Sequence, residues 1–286
     1  MTMQEASQEL KKLLRDIYDP RESSNIAEWV MEDLTGINHI DRIMHSHRIL
    51  TEEQLDHYHE YVLRLSNGMP VQYVIGYGYF MGLRFRVNED VLIPRPETEE
   101  LVQWAIDDKH APHTGTSLTI LDVGTGSGCI PIMLKKKIPS ANVHTIDISK
   151  DAIAVAKDNA SIHQAEVEFH QGNFLDPSTW EGLPETDIII SNPPYIPLRD
   201  KDTLSRNVLN FEPHLAIFVD NSDPLMFYKA IAAYAQNRLN KNGCIFVELD
   251  EGQATDLKKL MKKSGFLPEL RKDMQGRDRM MKMIWN

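Results

Sequence analysis

Over the first 70 residues, hydrophobic positions recur at intervals of three and four, the period of helices with one buried face. Leu10, Leu13, Leu14 and Ile17 share such a face over residues 4–17. Ile26, Trp29, Val30 and Leu34 repeat the pattern and stop at Gly36, a C-terminal signal. Thr51-Glu-Glu-Gln54 has the form of a capping box and opens a helix carrying Leu55, Tyr58, Val62 and Leu65, which ends before Asn67-Gly68. Stripes of this kind make a core. The bundle therefore has no chemistry of its own, and docking a partner is the work left to it.

From 70 to 88 the pattern changes to alternation with glycines, running from Val71 to Val87. This predicts a β-hairpin linker. Beyond residue 115, short β-rich runs alternate with helical patterns, which predicts an α/β domain: a largely parallel sheet with helices on both faces. Strands fall near 118–123, 142–148, 166–171, 186–191 and 244–249, with a final pair from about 268 to 285 broken by Gly276-Arg-Asp-Arg279. The predicted organisation is a helical docking domain at 1–70, a hairpin linker at 71–93 and a catalytic domain at 94–286.

Length and composition narrow the class. The 286 residues suffice for one large domain and one small one. The first residues lack a basic stretch followed by an apolar one, so no secretory signal is expected. No apolar run is long enough to span a bilayer. Cys129 and Cys244 read as thiols in a reducing cytoplasm. His45/His47 and His57/His59 are spaced i, i+2, which shares no helix face, and no metal is expected. The net charge is −11, and residues 1–75 hold 7 Lys/Arg against 13 Asp/Glu. Nucleic-acid binding needs basic surface for phosphates, so this balance disfavours it.

The chemistry concentrates at predicted strand ends. Asp187-Ile-Ile-Ile-Ser191 runs into Asn192-Pro-Pro-Tyr195. That segment suits presenting a planar, weakly nucleophilic nitrogen to an electrophile. Asn192 offers a side-chain carbonyl and Pro193 a backbone carbonyl to hold two N–H groups. Pro193 and Pro194 fix φ and remove competing donors. Tyr195 can cover a flat group with its ring. Upstream, a β-rich run from Leu118 enters the loop Gly124-Thr125-Gly126-Ser127-Gly128. Its glycines allow a ligand close to the backbone, but their spacing departs from the dinucleotide fingerprint. The next strand-like run ends in Asp147, an acid placed to accept both hydroxyls of a ribose.

Together these features resemble the class I methyltransferases that use S-adenosyl-L-methionine. The stretches Val91-Leu-Ile-Pro-Arg-Pro-Glu-Thr-Glu-Glu100, Phe211-Glu-Pro-His-Leu-Ala216, Glu248-Leu-Asp-Glu-Gly-Gln253 and Gly276-Arg-Asp-Arg279 extend the likeness. In that order they resemble the HemK/PrmC family of peptide chain release factor N(5)-glutamine methyltransferases, over essentially the whole chain. The resemblance implies a Rossmann-like seven-stranded sheet whose final hairpin is antiparallel, preceded by the small helical bundle. It implies an adenine site at Asn173 and Phe174, with Asn173 standing where family members usually carry an acid. It also implies the reaction: a methyl group passes from S-adenosyl-L-methionine to the glutamine amide nitrogen of the Gly-Gly-Gln loop in bacterial class I release factors. In that scheme Asn192 and Pro193 grip the amide, and no general base, histidine, cysteine or metal takes part. The alternatives are an amino methyltransferase acting on adenine in DNA or on ribosomal RNA, and a non-catalytic scaffold. The intact glycine loop and Asn192–Tyr195 segment oppose the scaffold.

Overall fold

The computed structural model describes residues 1–108 and 118–286. These form two compact units, one comprising 1–77 with 205–211, the other 78–204 with 212–286. Element labels below follow chain order.

The first unit is helical: α1 (Met3–Leu14), α2 (Pro20–Thr35), α3 (His39–Met44), α4 (Glu52–Ser66) and α5 (Val71–Ile75), joined by the short α9 (Arg206–Phe211). Its helix starts are written in the sequence. Thr2 and Glu5 form a capping box on α1, Asp19 caps α2 ahead of Pro20, and the expected Thr51/Gln54 box caps α4. Gly36 closes α2 in the left-handed region, φ 66°. Leu10, Leu14, Val30, Met31, Tyr58 and Leu65 make the core, and the Tyr58 hydroxyl donates to the Ala6 carbonyl at 3.0 Å.

Two details differ from the sequence expectation. α1 stops at Leu14, which leaves Ile17 outside the helix and 42% exposed. The turn leading to the Asp19 cap of α2 takes over there. The alternating stretch that begins at Val71 starts as a helix, and the hairpin is confined to β1 (Tyr77–Phe80) and β2 (Leu83–Arg86). Val71, Tyr73, Val74 and Ile75 are all buried, so the run packs on more than one side, as a short helix does. The Arg64 guanidinium donates to the Tyr73 and Val74 carbonyls, and Gly76 ends the turn at φ 80°. β-branched composition reads as strand here only until burial and caps are known.

In the second unit, α6 (Pro96–Asp107) precedes β3 (Thr119–Val123), α7 (Cys129–Lys137), β4 (Asn142–Asp147), α8 (Lys150–His163), β5 (Val167–Gln171) and β6 (Thr186–Ser191). A small parallel pair, β7 (Ile196–Pro197) and β8 (Phe218–Val219), comes next. The chain closes with α10 (Met226–Arg238), β9 (Leu239–Glu248), α11 (Ala254–Lys263), β10 (Phe266–Lys272) and β11 (Asp278–Trp285). Among the described residues, seven strands form one sheet in the order β10-β11-β9-β6-β3-β4-β5. β11 runs antiparallel to both of its neighbours, and the other pairings are parallel.

Central strands are buried on both faces. Ile188, Ile189 and Ile190 of β6 are fully buried, with Ile188 and Ile190 in one apolar core and Ile189 in the other. Each such side chain contributes about 1.5–3 kcal/mol by leaving water. The strand order reverses between β3 and β6. That switch point opens a crevice beyond the carboxyl ends of the strands. β3 leads there into the glycine loop and β6 into Asn192.

Candidate active site

A cavity of about 330 Å³ lies at the switch point. Gly124 to Ser127, Asp147, Asn173, Phe174 and Asn192 to Pro194 all line it. Residues more than 60 positions apart in sequence thus meet in one cavity. Two expected residues do not reach its wall. Gly128 packs behind the loop at φ 81°, where an added Cβ would stand 3.0 Å from both Ala156 Cβ and Ile132 Cδ1. Glycine there sets how closely the loop and α7 approach α8. Tyr195 is the other. Its hydroxyl donates to Glu248 Oε1 at 3.1 Å, and its ring packs against the apolar core. In this structure the ring is not a wall of the cavity.

One end of the cavity is built largely of backbone. Gly126, with φ 51°, lines it and has open space where a Cβ would stand. The Gly126 amide donates to Asp147 Oδ2 at 3.0 Å, and the Ser149 amide to Oδ1 at 2.9 Å. Burial raises the Asp147 pKa, and these backbone donors oppose the rise. Each Asp147 oxygen keeps a further lone pair for a ligand hydroxyl. Beneath the loop, Thr145 donates to the wholly buried Asp122 at 2.6 Å and shares a 2.7 Å contact with Thr125. Asn173 Oδ1 accepts from the Leu175 amide, which fixes the turn. Phe174 lies against Trp180 and Tyr234. A diol acceptor, a glycine cradle and apolar side chains at Ile148, Phe174 and Leu175 fit an adenosyl group. The Cys129 thiol, also on the wall, is pushed by burial up to about 12, which disfavours the thiolate.

The part of the wall around Asn192 is held by side chains. Asn192 Nδ2 donates to Thr98 Oγ1 at 3.0 Å. Thr98 in turn donates to Glu248 Oε2 at 2.6 Å. Gln253 Nε2 donates to the Tyr195 carbonyl at 2.6 Å, which pins the far end of the Asn192–Tyr195 segment. The Tyr228 hydroxyl donates to the Glu248 backbone carbonyl at 2.9 Å. Nearby, Arg95 Nη2 meets Glu212 Oε1 at 2.6 Å, and the Ile93 amide donates to Glu212 Oε2 at 3.3 Å. That ion pair ties the segment before α6 to Pro213, Leu215 and Ala216, which form part of the wall. Arg279 donates to the Leu249 carbonyl, next to Glu248.

Thr98, Glu248, Arg95 and Glu212 all lie in stretches that carry the family resemblance, but their pairing is visible only in the structure. Their partners sit up to 150 positions away. Spacing along the chain also hides a trio remote from the cavity wall. His144 Nδ1 and His170 Nε2 lie 3.2 Å apart across β4 and β5, with Glu168 Oε2 3.5 Å from His144. Ligand atoms of these three lie within 4.8 Å of one another. Burial lowers the His144 pKa, which favours the neutral ring. No helix among the described residues is long and apolar enough to cross a membrane.

Comparison with known proteins bears on the family and the fold. Residues 5–76 match the PrmC N-terminal domain and residues 108–210 the Methyltransferase small domain. A release factor glutamine methyltransferase of Flavobacterium psychrophilum is 39% identical over 271 residues, 94% of each chain. One from Bacteroides thetaiotaomicron is 36% identical over 95% of this chain and 96% of its own. Among solved structures, the hMettl16 catalytic domain superposes with a TM-score of 0.55 at 18% identity, covering 82% of this chain and 81% of that one. A methyltransferase from Pyrococcus furiosus gives 0.52 at 17% identity, covering 72% and 89%. Likeness at that level of identity speaks for the fold alone.

Proposed function

The chain belongs to the family of release factor glutamine methyltransferases, and on that premise we propose that it methylates the side-chain amide nitrogen of the Gly-Gly-Gln glutamine in peptide chain release factors. The observation that carries this reading is the pairing of an acceptor clamp, Asn192 with Pro193, and an adenosyl-shaped cradle in one cavity. When bound, S-adenosyl-L-methionine supplies a methyl group already activated by a sulfonium. The loop from Gly124 to Gly128, with Asp147, Asn173 and Phe174, would hold it.

The chain's own residues do the rest by placement. An amide nitrogen is a poor nucleophile because its lone pair is delocalised. Asn192 Oδ1 and the Pro193 carbonyl accept its two N–H groups, hold the amide plane and aim the nitrogen. As positive charge develops on that nitrogen, the same two carbonyl dipoles stabilise it. Fixing the acceptor also removes much of the entropic part of the barrier. Pro194 keeps the segment rigid and offers no competing donor. No side chain needs to take the proton first, since the methylated amide is acidic enough to release it to water.

The helical unit would dock on the release factor away from its Gly-Gly-Gln loop. The same reading places the enzyme in the cytoplasm, in keeping with its two free cysteines. The test is incubation with methyl-labelled S-adenosyl-L-methionine and, separately, a release factor, ribosomal RNA and DNA, followed by mass spectrometry. Label on the Gly-Gly-Gln glutamine is expected. Label on nucleic acid alone would transfer the substrate to the amino methyltransferase alternative.

A further inference from the structure

The Asn192 side chain ends in an oxygen and an NH2 group of almost the same shape. Only the oxygen end can receive an N–H from an acceptor amide. A half-turn about the last side-chain bond would present a donor to a donor and disable the clamp. Something must choose the end, and shape alone does not.

Hydrogen-bond polarity makes the choice. Thr98 lies 3.0 Å from Asn192 Nδ2 and 2.6 Å from Glu248 Oε2. A threonine hydroxyl has one hydrogen. A carboxylate has none and can only accept. The Thr98 hydrogen is therefore committed to Glu248, and Thr98 Oγ1 has only lone pairs left to offer. The Asn192 end facing it must be the NH2 end. We infer that Thr98 and Glu248 are positioning residues, a polarity relay that fixes the Asn192 amide with Oδ1 toward the acceptor.

The surroundings are arranged to keep the relay one-directional. Glu248 is 2% exposed, and its other oxygen takes the Tyr195 hydroxyl at 3.1 Å. With two hydroxyls donating to it, Glu248 acts as a pure acceptor. Tyr228 does not compete, because its hydroxyl is spent on the Glu248 backbone carbonyl. Thr98 is itself 3% exposed, so water has little access to reverse the pattern. The relay also gives a physical reason for two otherwise separate stretches. The one around Thr98 supplies the hydroxyl on α6, and the one beginning at Glu248 supplies the carboxylate at the end of β9. Glu248 stands behind Thr98, off the cavity wall, and both act through the Asn192 amide.

This inference rests on the acceptor reading proposed above, and the experiment separates the two. Full-length wild type, Thr98→Val, Thr98→Ser and Glu248→Gln would be compared on a release factor for kcat and KM, and on S-adenosyl-L-methionine for Kd by calorimetry. Thr98→Val keeps the shape and loses the hydroxyl. Its kcat is expected to fall roughly 10- to 100-fold, the cost of losing one buried hydrogen bond in the reacting state. Cofactor Kd should stay within about twofold, since no cofactor contact changes. Thr98→Ser should restore most of the turnover. Enzyme loaded with S-adenosylhomocysteine should also bind a release factor carrying Gln→Glu at the acceptor far more weakly than the natural one. Thr98→Val should narrow that gap, because a free Asn192 can turn its donor end to a carboxylate. Wild-type turnover in Thr98→Val would overturn the relay, as would a Thr98→Ser variant no better than Thr98→Val. If wild type itself fails to methylate the release factor, the acceptor reading fails first.

Discussion

The glycine cradle and the Asn192 clamp are built by opposite means. The cradle uses glycine backbone, two amides on Asp147 and residues that lie within about 50 positions of one another. The clamp uses buried and half-buried side chains whose partners are 53, 94 and 150 positions away. The difference follows from what each must do. A cofactor with many atoms is held by many small contacts, none of which must be perfect. A single amide nitrogen has to be aimed through two hydrogen bonds of fixed polarity, so the groups that hold it are themselves held. Damage at the cradle should therefore appear as affinity, and damage at the clamp as turnover.

Asn192→Ala is the hardest test of that contrast. Losing one dipole from the charge-stabilising pair should cost about 100- to 1,000-fold in kcat. Cofactor Kd, read by calorimetry, should hardly move. A variant with wild-type turnover would remove Asn192 from the mechanism. Asp147→Ala is the mirror image. Cofactor Kd should weaken by roughly 10- to 100-fold, the loss of hydrogen bonds to a buried carboxylate. At saturating cofactor, kcat should recover to near the wild-type value. Persistent loss there would mean that Asp147 does more than bind.

Acidity probes the clamp alone. Burial raises the Glu248 pKa above the 4.5 of an ordinary glutamate, and Glu97 adds to the rise. The Thr98 and Tyr195 hydroxyls and the Arg279 charge oppose it. Glu248 must be ionised to accept both hydroxyls, so kcat should fall on the acid side at a higher pH than an exposed glutamate would give. The stability effect has the other sign. A folded pKa above the unfolded one contributes stability that is complete below the unfolded value and lost as pH rises through the folded value. Over that window turnover should drop on acidification while this group makes unfolding no easier. A pH–kcat profile measured beside thermal melts reads both. An identical acid limb in Glu248→Gln would assign it to another group.

The smallest effect is expected from Tyr195→Phe. It removes one donor from Glu248 but leaves Thr98 in place, which should cost about 1 kcal/mol or less in the reacting state, a few-fold in kcat. A loss as deep as that of Asn192→Ala would give the Tyr195 hydroxyl a direct part in the clamp, beyond its bond to Glu248.

Local relations along the chain were legible from the residues. Capping boxes at Thr51 and Asp147-bearing strand ends involve neighbours a few positions apart, and period and turn chemistry reveal them. The alternation from Val71 points to a strand for a matching reason: the helix Val71–Ile75 is decided by burial on several sides and by Arg64, nine or ten positions away. The same limit hid the pairing of Arg95 with Glu212, which the sequence displays only as two distant stretches.

By itself, then, the sequence determined the alternation of strands and helices, the glycine loop, the acid at the end of β4 and the Asn-Pro-Pro-Tyr segment. Each of these depends on backbone preferences and side-chain chemistry that act over a few residues. Only the tertiary structure decided which hydroxyl meets Asn192, which carboxylate meets that hydroxyl, and that the Tyr195 ring turns inward. Those outcomes depend on which strand ends and helix starts the sheet brings within hydrogen-bond distance. In a buried site every donor must find an acceptor there, so the fold, and not the spacing, sets the polarity of the chain of bonds.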